Sequence, residues 1–497
     1  MSGGLLFSFC GYLILVISFG LLAYRVTQNL SDFVLGGRSL SGPIAALSSG
    51  ASDMSAWLLM GLPGAVYASG FDNIWLPIGL SVGAYLNWLY IAKPLRTYTE
   101  FANDSLTVPA FLDNRFLGTE TSIRLISALA TIIFFIFYIS SGFLAGAKLL
   151  HLSFGFDYSF SLFLTIAIVL LYTFVGGFLA VSWTDFFQGN FMLLCMLIIP
   201  FLVVGEIGGW SNAATILKAQ DNALFDIFGS LNFVGILSLL AWGLGYFGQP
   251  HILVRFMSVK TEKEIPIARR VCMIWMVLSL IAAFVLGITG KAYYLSDISG
   301  VLEDQELIFI KFSHLLLNPW LTGLVLAAII SAIMCAADSQ MLAASSAIVE
   351  DLYHPFFRPN ANQKELMLVS RISVVIMSVI AGAIAHLAIG YNSFVIQMVQ
   401  FAWSGLGATF GPAVLCALFY REVSPKGIAA GMLTGCVIVI LWRAIEFNAP
   451  DFLVINEIIP GFIISFLTIY LVTKFDKDVD EKILMNYDEA QKLITTK

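Results

Sequence analysis

Apolar and polar positions fall in blocks along this chain: apolar runs of bilayer-crossing length are separated by short polar stretches. At about 20 residues per crossing, the blocks predict thirteen helices, over 4–24, 43–68, 72–92, 123–150, 157–176, 183–204, 228–249, 271–295, 320–347, 366–390, 394–420, 427–446 and 454–473. The expected fold is therefore an all-α polytopic membrane protein, and the odd count puts the termini on opposite sides. Two spans are interrupted internally. The first interruption, Ala51-Ser-Asp-Met-Ser-Ala-Trp-Leu-Leu-Met-Gly-Leu-Pro-Gly64, is small and polar and carries Asp53. The second, Ala241-Trp-Gly-Leu-Gly-Tyr-Phe-Gly-Gln-Pro-His251, is rich in glycine. Irregular backbone at membrane depth survives only where it is buried in protein or lines a cavity, and an intramembrane carboxylate is by default functional. The interruptions are offset by five spans, as a 5+5 inverted repeat would make them, with a binding site between them near the midplane. The free N–H and C=O groups of half-helix ends suit a carboxylate and a cation, respectively. Pro63 and Pro250 lie at the ends of the interruptions as hinges or kinks.

Composition sharpens this picture. The 497 residues are 59% hydrophobic and 12% charged, against about 25% charged in a soluble domain. A net charge of −6 without a basic tract speaks against a nucleic-acid partner. With the N-terminus outside, all but five of the 26 Lys and Arg residues fall on the cytoplasmic side, the exceptions being Lys148, Lys218, Lys291, Lys311 and Arg443. Basic loops stay inside, so the orientation is N-out and C-in, with the acidic stretch 296–306 outside. The first span lacks a basic n-region and a cleavage site and reads as a retained helix. All six cysteines lie in apolar spans with no paired spacing, and no histidine spacing suits a transition metal. His386, inside the tenth span, is a candidate proton relay. No GxxxxGK[ST] phosphate loop is present. The chain reads as a gradient-driven protein of the cell membrane, not as an enzyme, and needs no cofactor.

Several motifs then carry a family resemblance. They are Arg38-Ser-Leu, Ser52-Asp-Met-Ser-Ala-Trp57, Gly176-Gly-Phe-Leu-Ala-Val-Ser-Trp-Thr-Asp-Phe-Phe-Gln188, Ala336-Ala-Asp-Ser-Gln340, Ser345-Ser-Ala-Ile-Val-Glu-Asp-Leu-Tyr353 and Trp403-Ser-Gly-Leu-Gly-Ala-Thr-Phe-Gly-Pro412. Together they resemble the sodium/solute symporter family, and within it the bacterial sodium/proline symporters. The resemblance implies a leucine-transporter-like core with alternating access. Its organisation would be 1–42 as first helix and cytoplasmic loop, 43–204 and 228–420 as the two core repeats, 427–473 as two peripheral helices and 474–497 as a cytoplasmic tail. It implies L-proline as substrate and Na+ as coupling ion. Carried over by position, Asp53 matches the acidic residue needed for sodium coupling, and the carbonyls of Ala51 and Met54 match half of the sodium site. Trp57, Gly61, Tyr138, Trp242 and Tyr246 match a proline pocket. Arg38 and Asp185 match conformationally important positions. Physically, aromatic walls suit proline's apolar ring and its ammonium.

The chain departs from this pattern in the ninth span. Where such symporters carry a Ser-Thr pair, it has Cys335-Ala336. Hard cations want oxygen ligands, a thiol is soft, and alanine offers none. The carbonyl of Ala332 remains, and Asp338, three residues after Cys335, shares its helix face and can rebuild the site with a full charge. The alternatives are sodium held weakly, a proton carried by Asp53 or Asp338, or a carrier without coupling. Sodium dependence is expected to be weaker than in typical relatives. Beyond L-proline, another small zwitterion or compatible solute fits the pocket chemistry, and a substrate sensor without net transport is the competing class.

Overall fold

The computed structural model describes residues 3–24, 34–175, 177–229, 231–296, 302–391, 394–446, 455–476 and 479–496. Gly176 of the third motif, 297–301 of the acidic stretch, 454 at the start of the last predicted span, and Arg25, Lys477 and Lys497 of the charge count lie outside the described residues. Among the described residues the chain is helical throughout: α1 (Gly3–Tyr24), α2 (Gly42–Asp53), α3 (Leu62–Ser69), α4 (Phe71–Phe101), α5 (Val108–Arg115), α6 (Thr121–Phe154), α7 (Tyr158–Val175), α8 (Phe178–Glu206), α9 (Trp210–Gln220), α10 (Phe233–Leu240), α11 (Pro250–Ser258), α12 (Ile265–Ser296), α13 (Ile308–Leu316), α14 (Pro319–Ser346), α15 (Gln363–Leu387), α16 (Phe394–Phe419), α17 (Pro425–Glu446), α18 (Ile458–Phe475) and α19 (Glu481–Thr496). Among the described residues, nine helices are long and apolar enough to cross a membrane, and Phe233–Gly248 with Pro250–Ser258 makes a tenth, bent by 48°. Shorter apolar helices cover Gly3–Ser18, Trp57–Ser69 and Tyr158–Thr173.

Several helices outrun their predicted spans, because hydropathy marks only the part that meets lipid. The third span, predicted over 72–92, continues to Phe101, the eighth begins at Ile265, and the ninth runs on through a π-helical segment to Phe357. His386 is exposed in the last turn of α15. The predicted cytoplasmic tail holds an amphipathic helix, α19, that buries Ile483, Tyr487, Ala490 and Ile494 against α4 and α5.

Both interruptions are real breaks, and each is enclosed by protein. Every residue of α2 except Pro43 is buried, among α8, α11, α12 and α14. The helix stops because Met54 leaves helical geometry (φ −77°, ψ 0°). The chain resumes through a π-helical turn over Trp57–Gly61, closed by Leu62 N–H to the Trp57 carbonyl, and Pro63 then opens α3. Such turns shift the side-chain register by one residue and favour functional sites. The second break is a tight 3₁₀ run over Ala241–Gly248, after which Pro250 starts α11. It lies between α4 and α16, and the fit needs glycine: a Cβ on Gly83 would sit 2.2 Å from the Gly243 carbonyl oxygen, and one on Gly248 2.6 Å from Gly411 N. Both proline residues therefore start half-helices, where a missing N–H costs nothing.

The two ends of the bundle are tied differently. At the end with the acidic loop, Lys148 on α6 reaches Asp304 (2.7 Å) and Glu306 (2.6 Å), and Glu306 accepts from Ile396 N–H at the start of α16. Tyr67 of α3 accepts from Leu302 N–H, so this loop lies across α3, α6 and α16. At the opposite end, Leu40 and Val259 form a short parallel bridge, and Arg38 binds Asp104, Thr99 and the carbonyls of Met257 and Ser105. Burial pushes the Arg38 guanidinium down from its ordinary value, with Asp104 opposing.

Candidate substrate and cation site

The two breaks meet at Asp53. The Asp53 backbone carbonyl, freed because α2 ends here, accepts from the Trp57 indole N–H (3.1 Å) and from the Tyr138 hydroxyl of α6 (3.1 Å). Its side-chain Oδ2 accepts from the Tyr246 hydroxyl of the second break, while Oδ1 has no partner. Trp242 faces Trp57 with ring centroids 6.2 Å apart. Gly61 is buried in the π-helical turn beside Ile396 and Trp57. The five residues matched to a substrate pocket thus converge, four of them aromatic, around one carboxylate. Asp53 is 2% exposed.

Further hydrogen bonds behind these residues hold the group in place. The Asn87 amide donates to the Tyr246 carbonyl (2.9 Å), the Trp403 indole to the Trp242 carbonyl (2.8 Å), and Gln249 to the carbonyls of Trp403 (3.0 Å) and Gly245 (3.3 Å). Three of these bonds engage carbonyls of the second break, and the bond to Trp403 ties the break to α16. Buried polar atoms without a protein partner collect in the same place: Asp53 Oδ1, Asn87 Oδ1, Gln249 Oε1 and both ring nitrogens of His251, whose ring meets Tyr138 edge-on. Orphaned buried atoms are rare in folded proteins and costly, so a cluster of them marks a place where a guest supplies the missing bonds.

The cation-side residues occupy the seam of α2, α8 and α14. A Cβ on Gly189 would lie 3.3 Å from the Ala51 Cβ, so α8 presses against α2 there, and one residue earlier Gln188 Oε1 accepts from the Cys335 thiol of α14 (3.1 Å). Met54, on the α2 side, gives its carbonyl to Leu58 N–H in a long 3.3 Å bond. Ala332 and Ala336 are buried on α14 and carry no side-chain oxygen. Asp338 accepts from the Thr173 hydroxyl of α7, and its Oδ2 is unpartnered. Its hydrogen bond thus goes to α7, whereas Cys335 bonds α8.

Asp185 of α8 sits in a denser network. Its Oδ2 accepts from Ser48 (2.7 Å) and Ser52 (3.2 Å) and lies 3.5 Å from the Arg255 guanidinium. Arg255, 1% exposed, also donates to Ser48, Ser52, Ser339 and the His251 carbonyl. Sequence reasoning missed it by counting Arg255 only among cytoplasmic charges; here it is a buried cation joining α2, α8, α11 and α14. Gln188 and Trp403 lie within the quoted motifs, and their positions are what gives them a place in the site.

The model of the sodium:solute symporter family matches residues 33–435. The high-affinity proline transporter PutP of Bacillus subtilis is 43% identical, covering 95% of this chain and 98% of its own length. The sodium/proline symporter of Escherichia coli is 42% identical over 99% of this chain and 97% of its own. Among solved structures, a Na+-coupled sialic acid symporter, substrate-bound and outward-open, superposes with a TM-score of 0.81 at 17% identity, covering 95% of this chain and 98% of its own. The closed form of Mhp1, a nucleobase-cation-symport-1 transporter, does so at 0.56 and 13% identity, covering 93% and 99%. Those two likenesses are of fold. Sequence match and helical architecture agree along nearly the whole length: this multi-pass chain of the cell membrane belongs to the sodium:solute symporter family.

Proposed function

We propose that the protein imports L-proline by cation symport, with alternating access to a site between its two broken spans. One observation carries this reading: Trp57, Tyr138 and Tyr246 all bond to Asp53 where the breaks meet, beside unpartnered polar atoms. The relatives named for proline transport, at 42–43% identity over almost the entire chain, support the substrate. In this reading Trp57, Gly61, Tyr138, Trp242 and Tyr246 enclose proline's ring and ammonium. Thirteen crossings follow if the three shorter apolar helices also span, with the N-terminus outside, the C-terminus inside, and repeats over 43–204 and 228–420. The pairing of Lys148 with Asp304 and Glu306 supports the orientation, since it neutralises one of the five basic residues assigned outside.

Na+ is the coupling ion, held by the carbonyls of Ala51, Met54 and Ala332 next to the charge of Asp53. With Cys335 and Ala336 lacking oxygens, Gln188 Oε1 beside Cys335 supplies a side-chain oxygen. Arg38 and Asp185 act in the conformational change. Proton coupling is the second reading, favoured by the unpartnered oxygens on Asp53 and Asp338. Uptake into proteoliposomes with sodium and proton gradients imposed separately decides between them. Sodium-driven uptake is expected, proton-driven uptake selects the second reading, and absence of saturable proline uptake under either gradient overturns both.

A further inference from the structure

Away from the broken spans, α19 closes a cavity of about 330 Å³ against the end of α4 and the turn after α5. Its polar lining is Tyr98, Asn103, Asn114, Arg115 and Asn486, and no acidic residue contributes. Tyr98 and Arg115 are each 1% exposed. The Tyr98 hydroxyl is buried with no hydrogen-bond partner. Arg115 belongs to none of the ion pairs among the described residues. Carboxylates nearby are already engaged: Asp104 by Arg38, Glu100 by Arg96, Asp113 by Arg124 and Asp488 by Arg421.

A guanidinium buried without a counter-charge is costly. Arg115 donates to the carbonyls of Ala417 (3.2 Å), Ile483 (3.4 Å) and Arg421 (3.4 Å), all near the long limit, which leaves two of its five N–H groups. The rings of Tyr487 (4.9 Å), Phe116 (5.0 Å) and Tyr98 (5.7 Å) surround it. Cation–π contact of this kind stabilises the charge without neutralising it. A planar fork, the carboxamides of Asn103 and Asn486 and an unpaired hydroxyl around water-accessible space are a set of donors that matches an oxyanion, whereas the Asn114 amide already donates to the Ala102 carbonyl and the Ser105 hydroxyl.

We propose that this cavity is a binding site for an oxyanion of the phosphate class, held by Arg115 and the Tyr98 hydroxyl and capped by Asn486 of α19. Two sources carry that chemistry, free phosphate and the phosphodiester of an anionic lipid. Because Arg115 also holds the Ile483 carbonyl, occupancy fastens α19 to the bundle.

The test is equilibrium binding of radiolabelled inorganic phosphate to the full-length protein in phosphatidylcholine nanodiscs, together with its unfolding temperature. Saturable binding is expected, weakened roughly tenfold or more in Tyr98→Phe, which removes one hydrogen bond to a charged group and keeps the ring. Asn103→Asp, at an exposed position with φ 54° that aspartate tolerates, brings in a like charge and abolishes binding. Unfolding temperatures without phosphate show that both variants are folded. In phosphatidylglycerol nanodiscs, loss of phosphate binding with a Tyr98-dependent rise in unfolding temperature identifies the lipid as occupant, whereas undiminished binding identifies the free anion. Absence of both saturable phosphate binding and the Tyr98-dependent lipid effect, or phosphate binding equal in wild type and both variants, overturns the proposal.

Discussion

Asp53 and Asp185 are both buried carboxylates in the same bundle, yet their surroundings differ in one respect: a fixed counter-charge. Asp185 takes two serine hydroxyls and lies 3.5 Å from Arg255, so its charge is met inside the protein. Asp53 takes a single side-chain hydroxyl, from Tyr246, and no basic side chain pairs with it among the described residues. A carboxylate whose charge is balanced from within stabilises or positions helices. One left unbalanced at the meeting of two helix breaks is provided for by something that arrives and leaves, and a transported cation meets that description.

The sharpest test of this contrast is to break the fixed pair. Asp185→Asn or Arg255→Gln alone leaves one buried charge without its partner, and each is expected to destabilise the protein by about 3–5 kcal/mol. The double variant is expected to recover much of that loss, so thermal unfolding of the four proteins measures the coupling directly. Additive losses would remove Arg255 as the counter-charge. Asp53→Asn tests the other side. It keeps the shape and one oxygen but deletes the charge, so unfolding should change little while cation-driven uptake falls about ten- to a hundredfold, the value of a hydrogen-bonded charge. A large loss of stability with uptake preserved in the folded fraction would reverse the assignments of the two carboxylates.

Much of this was legible in the sequence. Apolar blocks located the spans, and the polar or glycine-rich stretches at Ala51–Gly64 and Ala241–His251 located both breaks, because lipid penalises irregular backbone so heavily that its mere presence is informative. The pocket residues lie within a few positions of those breaks, or in the case of Tyr138 beside Ser140 and Ser141. What remained hidden was pairing across the chain. Nothing local to Arg255 signals Asp185, which is 70 residues earlier, and a rule that sorts basic residues by side treats a buried guanidinium and a solvated one alike. Lys148 was assigned to a side by the same rule, without its partners Asp304 and Glu306. The amphipathic helix α19 did leave a signal: Ile483, Tyr487, Ala490 and Ile494 recur at helical spacing in a segment read only as a cytoplasmic tail.

The smaller effects concern how completely a guest cation is coordinated. Restoring the oxygens with Cys335→Ser and Ala336→Thr leaves Asp53 untouched, and it is expected to lower the sodium concentration for half-maximal uptake roughly tenfold, about 1.4 kcal/mol of added coordination. Gln188→Leu should act in the opposite direction by a similar factor, and more weakly in the restored background, because the new hydroxyls replace what the amide supplied. Sodium dependence unchanged by all three substitutions would separate Cys335 and Gln188 from the ion. Tyr246→Phe is the mildest change. It removes the one hydroxyl that donates to the Asp53 carboxylate among the described residues and leaves the ring that meets Trp403 at 5.0 Å, so the wall of the pocket survives. A carboxylate that loses one neutral donor binds a cation no less well, whereas the second break loses its hydrogen bond to the first and keeps the contact of Trp242 with Trp57. Proline affinity is therefore expected to fall a few-fold, about 1 kcal/mol, with the sodium response unchanged. A shift in sodium response instead would mean that the hydroxyl, and not the coordination on α14, tunes the charge that the cation meets at Asp53.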